Sequence, residues 1–236
     1  MSRTQTRGSC VFCSREFAKG GMSRHLQTCS KRQDVQTEAD HSKRHRQTLY
    51  HLQAQDAWGA GYFLHLEMRG QATLRELDSY LRAIWLECCG HLSAFEIAGV
   101  SYDNTPDPWG ESEGPLMGAV KVSSVFRTGL EIAYEYDFGT TSELTIKVVA
   151  QREGKPLTEH PIFLMARNNF EQSPCMICGK PATWLCSECI YDREDDRGEL
   201  CDAHADGHEH EDMMLALVNS PRTGMCGYSG PAEPPY

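Results

Sequence analysis

Residues 175–210, CMICGKPATWLCSECIYDREDDRGELCDAHADGHEH, hold five cysteines and three histidines in 36 positions. The ligand-type side chains run C-x2-C-x7-C-x2-C-x11-C-x2-H-x3-H-x-H, namely Cys175, Cys178, Cys186, Cys189, Cys201, His204, His208 and His210. A closed structural zinc site takes four thiolate or imidazole ligands, so eight make two sites. Ile177, Trp184, Leu185, Ile190 and Leu200 are the only expected core of this stretch. They fall far short of an ordering cost of about 1.5 kcal/mol per residue. Metal binding on the order of 10 kcal/mol per site supplies much of the difference. A redox role for the C-x2-C pairs is the alternative. A reactive thiol wants positive surroundings, whereas Asp192, Glu194, Asp195, Asp196, Glu199 and Asp202 make these acidic.

The chain also begins with a ligand set, CVFCSREFAKGGMSRHLQTC: Cys10 and Cys13 form a knuckle, and His25 and Cys29 stand four apart, on one face of an expected helix. Phe17 and Met22 are the expected apolar plug. The pattern resembles a C2H2-type zinc finger with cysteine as its last ligand. The Lys19-Gly20-Gly21 stretch offers little to base edges where a DNA-reading finger projects its side chains. The later cluster resembles a B-box-like treble of knuckles, in which alternate ligand pairs share an ion. That likeness implies Cys175, Cys178, Cys201 and His204 around one zinc, and Cys186, Cys189, His208 and His210 around the other. A sequential arrangement, with the first four cysteines as one site, stays open on spacing alone. Three Zn2+ ions are therefore expected in all.

Charge divides the chain. Residues 1–49 carry ten Lys/Arg against four Asp/Glu, residues 50–170 nine against sixteen, and residues 171–236 four against thirteen, within a net charge of −10. The basic segment offers phosphate contacts through Lys31, Arg32, Lys43, Arg44 and Arg46, or is simply a solvated linker, since KRQDVQTEADHSKRHRQT lacks apolar periodicity. The N-terminus has no apolar signal region and no stretch reaches the roughly 18 apolar residues of a membrane span, so a cytoplasmic protein without membrane contact is expected. In a reducing compartment eleven cysteines indicate metal rather than disulfides.

The middle reads as the folded body. YHLQAQDAWGAGYFLHLEMRG is a hairpin broken by Gly59 and Gly61. Thr73 and Glu76 form a capping box ahead of a helical repeat of Leu74, Leu77, Tyr80, Leu81, Ile84, Trp85 and Cys88, which Gly90 should stop. Adjacent residues of a helix point about 100° apart, so Cys88 and Cys89 should not share a metal. One is assigned to the core and the other left incidental. Strands follow at Ala94–Ile97, Leu130–Phe138 and Glu143–Gln151, and Asp103–Gly118 is a loop. The expectation is an α+β fold: a mainly antiparallel sheet with one long packing helix, flanked by two small zinc-stabilised modules. The divisions are a finger at 8–30, a basic polar linker at 31–48, the α+β domain at 49–168, and a two-zinc domain with tail at 172–228.

TLRELDSYLRAIWLECCGHLSAFEIAG and YEYDFGTTSELTIKV resemble the Ri-plasmid third-open-reading-frame family, sometimes labelled transposon passenger or resolvase-like, over about residues 49–165. Thr73, Leu74, Leu77, Trp85, His91, Leu92, Phe95, Tyr136, Asp137, Phe138 and Gly139 match the family pattern. Asp78, Thr140, Ser142 and Leu144 depart from it, where the family tends to show His, Asp, Trp and His. The tail also matches at Pro221, Arg222, Gly224, Cys226, Gly227 and Tyr228, with Cys226 read as a lone thiol or a spare ligand. The resemblance implies a fold and no established reaction. No common enzyme signature is present.

Two functions remain. One is a non-catalytic zinc protein that brings partners together, its acidic end meeting a basic protein surface and its residues 1–49 offering a nucleic-acid contact. The other is an enzyme acting on nucleic acid or a small molecule, with His91 and Asp137 in its site; a polar cleft around His91 would favour it.

Overall fold

The computed structural model describes residues 6–106, 114–192 and 197–236. The sequence-assigned loop at Asp103–Gly118 and the acidic run before Arg197 therefore fall in part outside the described residues. The chain opens with a hairpin of β1 (Arg7–Cys10) and β2 (Glu16–Ala18), then α1 (Lys19–Thr28) and α2 (Ser30–Asp40). The body follows as β3 (Gln47–Asp56), β4 (Phe63–Arg69), α3 (Leu74–Leu81), β5 (Ser93–Ile97), β6 (Val100–Asp103), β7 (Glu131–Tyr136), β8 (Ser142–Gly154) and β9 (Ile162–Asn168). These strands make one antiparallel sheet in the order β2-β1-β9-β4-β3-β8-β7-β5-β6. No helix among the described residues is long and apolar enough to cross a membrane.

β3 and β4 form the expected hairpin, with Tyr50 opposite Met68 and Leu52 opposite Leu66. Its loop is tied by the Asp56 carboxylate, which accepts the N–H groups of Ala60 and Gly61. α3 begins on the expected box: Thr73 Oγ1 accepts the Glu76 N–H at 3.3 Å, and Glu76 accepts the Thr73 N–H at 2.6 Å. The helix then departs from expectation. Over Arg82–Leu86 it widens into a π-turn, and three consecutive residues, Ile84, Trp85 and Leu86, are all fully buried. A regular α-helix spreads three successive side chains over about 200° and cannot seat them all in one core. The wide turn re-aims them, and Glu87 then turns extended (φ −68°, ψ 109°). Cys88 and Cys89 thus lie beyond the helix, not in it as its apolar period suggested.

The segment expected as a linker is helical along α2, and Arg32 is buried. Its guanidinium donates to Leu26 O at 2.9 Å and lies 3.3 Å from the buried Glu67, which Arg152 grips from the other side at 2.8 and 3.0 Å. The N-terminal hairpin is likewise part of the main sheet. Gly8 faces Asn168 and Cys10 faces Ala166 across β1 and β9. A Cβ at Gly8 would lie 2.5 Å from the Phe63 ring and closer still to Arg167 O, so only glycine permits this approach. Met22 and Leu26 of α1 pack with Phe63, Met165 and Ala166 in one small core. Met22 serves as the expected plug, while Phe17 is only half-buried and stacks on the His25 ring at 3.8 Å.

His51 and His65 lie buried between β3 and β4, with Nε2 of the first 2.9 Å from Nδ1 of the second. Burial holds them neutral, pushing His51 down to about 2 and His65 to about 3. Above the unfolded value of about 6.5 neither state of the chain is protonated and stability is unaffected. Below it the unfolded chain takes up protons that the folded pair refuses. The pair should therefore cost about 2–3 kcal/mol between pH 7.5 and 5.5. Urea unfolding at both pH values, set beside a His51→Leu/His65→Leu variant, checks this: the variant should lose that part of the pH dependence.

The C-terminal part builds a second, three-stranded antiparallel sheet from β10 (Trp184–Cys186), β11 (Glu199–Leu200) and β12 (Met214–Ala216), in the order β11-β10-β12. α4 (Ser187–Asp192) and α5 (Asp202–Ala205) carry ligand residues beside it. Its buried cluster is Cys175, Cys186, Cys189, Leu200 and Cys201, so four of five members are cysteines. Ile177, expected in this core, is exposed, because it sits at the tip of the turn between Cys175 and Cys178. The tail then returns to the body, where Ser220 Oγ donates to Trp85 O at 2.5 Å.

Candidate metal centres

Each knuckle is made by local backbone. The Ser14 N–H donates to Cys10 O at 2.8 Å and the Cys10 N–H to Arg15 O at 3.0 Å, closing a tight turn with Ser14 in the left-handed region (φ 57°). Cys175 repeats the device: its N–H donates to Lys180 O at 2.7 Å, and the N–H of Gly179 (φ 73°) donates to Cys175 O at 2.9 Å. Such turns aim amide groups at sulfur. Although burial opposes ionisation, the N–H groups of Cys178, Cys201 and Ile177 and the His204 ring bring Cys175 down to about 6, favouring the thiolate a metal needs.

Among the described residues four Cys/His groups have their donor atoms within 4.8 Å of one another and could hold a metal ion. Three contain the residues expected from the sequence: Cys10, Cys13, His25 and Cys29; Cys175, Cys178, Cys201 and His204; Cys186, Cys189, His208 and His210. The grouping of the last eight is alternating, not sequential. Separations within these sets can be set against a zinc tetrahedron. With Zn–S of about 2.3 Å and Zn–N of about 2.05 Å, neighbouring donors lie about 3.8 Å (S to S) or about 3.5 Å (S to N) apart. Cys178 and Cys201 sulfurs are 3.8 Å apart. Sulfur-to-nitrogen distances are 3.4 Å for Cys13–His25, 3.5 and 3.4 Å for Cys175 and Cys201 to His204, 3.3 Å for Cys189–His208, and 3.6 Å for both Cys186 and Cys189 to His210. The donor chemistry and the spacing both fit zinc.

His25 and Cys29 do not share a helix face as expected. α1 ends at Thr28, and Cys29 is extended (φ −68°, ψ 112°), which turns its sulfur back to the knuckle.

His91 and Asp137 do meet. His91 Nδ1 lies 3.4 Å from Asp137 Oδ1. Asp137 Oδ2 accepts from Arg222 at 2.7 Å and Oδ1 accepts the Gly139 N–H at 3.1 Å. Against the opposing effect of burial, these donors hold the Asp137 carboxyl below its ordinary range. Arg222 is fully buried, stacks 4.8 Å over the Tyr136 ring, and also donates to Thr140 O and Ser142 Oγ. Asp78, like Thr140 and Ser142, serves the surrounding framework: it accepts from Tyr134 and Ser93 and pairs with Arg82. On its other side His91 faces thiols of Cys88, Cys89 and Cys226, the fourth group. Short-spacing rules could not find it, because Cys226 comes from the tail and the adjacent cysteines were expected on a helix.

The profile of the family described as plasmid pRiA4b ORF-3-like protein matches residues 63–212, well over half of the chain, from β4 through the last ligand of the C-terminal cluster. No curated protein matches the chain. Among solved structures, a protein of unknown function, MM3350 from Methanosarcina mazei Go1, aligns at 22% identity with a TM-score of 0.41, over 48% of this chain and 66% of that one.

Proposed function

This chain belongs to the plasmid pRiA4b ORF-3-like family, and on that premise we propose that it is a zinc-binding protein acting without catalysis, as an interaction or adaptor protein whose end segments are ordered by metal. One zinc is held by Cys10, Cys13, His25 and Cys29, a second by Cys175, Cys178, Cys201 and His204, and a third by Cys186, Cys189, His208 and His210. The observation that carries this reading is the agreement of the donor separations with the edges of a thiolate–imidazole tetrahedron. All four positions of each set are taken by protein atoms, which suits a structural ion and leaves no place for an activated water.

The partner is a protein with a basic surface, met by the strongly acidic C-terminal third. A nucleic-acid contact through residues 1–49 is the lesser part, because Arg32 is buried and Arg7, Arg44 and Arg46 sit beside Glu16, Glu159 and Asp40. Arg15, Arg24 and Lys43 remain exposed. The enzyme reading draws on the line from Cys89 through His91 to Asp137. That line is crowded by two further thiols, an arrangement closer to a metal ligand with its carboxylate support than to a nucleophile awaiting substrate.

Native mass spectrometry of the full chain tests the reading. At least three zinc ions should remain bound, with one lost in each of Cys13→Ser, Cys178→Ser and His208→Ala. A metal-free protein would sink it. Titration with duplex DNA across a salt series tests the lesser contact, and no binding at low salt would remove it.

A further inference from the structure

We propose that Cys88, Cys89, His91 and Cys226 form a fourth metal site, taking a soft divalent ion such as Zn2+ in exchange with solution, and that this ion clamps the tail onto the body. The proposal extends the zinc reading to residues that reading does not use. The separations again approach tetrahedral edges: 3.6 Å between the Cys88 and Cys89 sulfurs, 3.7 Å between Cys89 and Cys226, and 3.5 Å from Cys226 to His91 Nε2. The contact of Cys89 with His91 Nε2, 2.9 Å, is shorter than a metal-filled edge.

The surroundings are built as a metal's supporting groups are. A ligating imidazole normally gives its second nitrogen to a carboxylate, which fixes the ring. Here Asp137 lies against Nδ1, leaving Nε2 for the ion. Three thiolates and one imidazole around a dication carry one net negative charge, and the buried Arg222 guanidinium donates to Cys88 Sγ at 3.4 Å. The backbone adds independent support. Cys226 (φ 49°, ψ 36°) and Asp137 (φ 66°) both occupy the left-handed region, a conformation retained where surrounding contacts enforce it. Adjacent cysteines can serve together because the π-turn and the extended Glu87 end the helix before them.

Exposure sets this site apart. Each of the other three sets has two buried cysteines, whereas Cys89 and Cys226 are exposed and Cys88 and His91 are half-exposed. The ion should exchange first. Its release frees residues 224–227 while Ser220, Arg222 and the buried Tyr228 stay anchored.

The test is the metal count of the full chain in zinc-containing buffer, followed through a graded chelator series by native mass spectrometry. Four ions are expected, one leaving before the rest. Cys89→Ser and Cys226→Ser, both at exposed positions, should each hold three and show faster amide exchange at 224–227. Three ions in the unsubstituted protein and the same three in both variants would overturn the fourth site and leave the zinc reading standing, whereas no ions would overturn both. A disulfide joining Cys226 to Cys88 or Cys89 in freshly reduced and re-equilibrated protein would also overturn it.

Discussion

Withdrawing the proposed metal from the full chain with a strong chelator is expected to melt the C-terminal unit of β10, β11 and β12 while the body strands β3 to β9 persist. The physical reason is the composition of the two cores. The body buries 28 residues in one cluster, from Tyr50 and Leu52 to Ile162, led by Trp85, Phe95 and Tyr134. Among the described residues the C-terminal cluster has five buried members, four of them cysteines, with Ala182 and Leu185 buried beside it. Without an ion these sulfurs crowd one another and contribute little beyond small apolar surface. Losing the two proposed sites, at on the order of 10 kcal/mol each, would exceed what Leu185, Leu200 and the half-buried Trp184 and Met214 can replace. Hydrogen exchange followed by mass spectrometry would show amides of β10, β11 and β12 exchanging at unfolded rates, with β3, β4 and β8 still protected. Cys186→Ser should reproduce the local effect. Protection of β10, β11 and β12 that survives complete demetallation would mean that the unit is held by something other than metal.

The second large effect is expected at Arg222. Replacing it by alanine leaves Asp137 buried without its cation and strands the acceptors Thr140 O and Ser142 Oγ. Breaking a buried ion pair from one side costs about 3–5 kcal/mol, more than the pair itself contributes, because the remaining charge stays desolvated. Arg222→Lys should recover little, since an ammonium cannot span Asp137, Thr140 and Ser142 from one plane or stack on Tyr136. Denaturant unfolding measures it, and a loss below about 1 kcal/mol would show that the tail is not an integral part of the fold.

What could be read from the amino acids was what is encoded locally. Cys10 with Cys13 and Cys175 with Cys178 are pairs a single turn brings together, so spacing names them. The β3–β4 hairpin follows from alternation around two glycines, and the start of α3 from Thr73 and Glu76. Features settled by distant partners were not legible. β9 was missed although it sits between β1 and β4, because IFLMARN has no simple alternation and its place depends on strands far away in sequence. α2 carries almost no apolar face: it buries only Ala39 and Arg32, and the arginine's partner, Glu67, lies on a distant strand. The meeting of Cys226 with Cys89 spans 137 positions and depends on a π-turn that no periodicity announces.

The pairing of β1 with β9 has a bearing on how the molecule avoids itself. Without that hairpin, β9 would be an outermost strand, its main-chain donors and acceptors bare along an apolar run and open to a strand from a neighbouring copy. The short β2, with Glu16 at its start and Arg7 facing outward beside it, is a poor template for further growth. The cysteine-bearing hairpin thus covers a margin that would otherwise be open to a neighbouring copy.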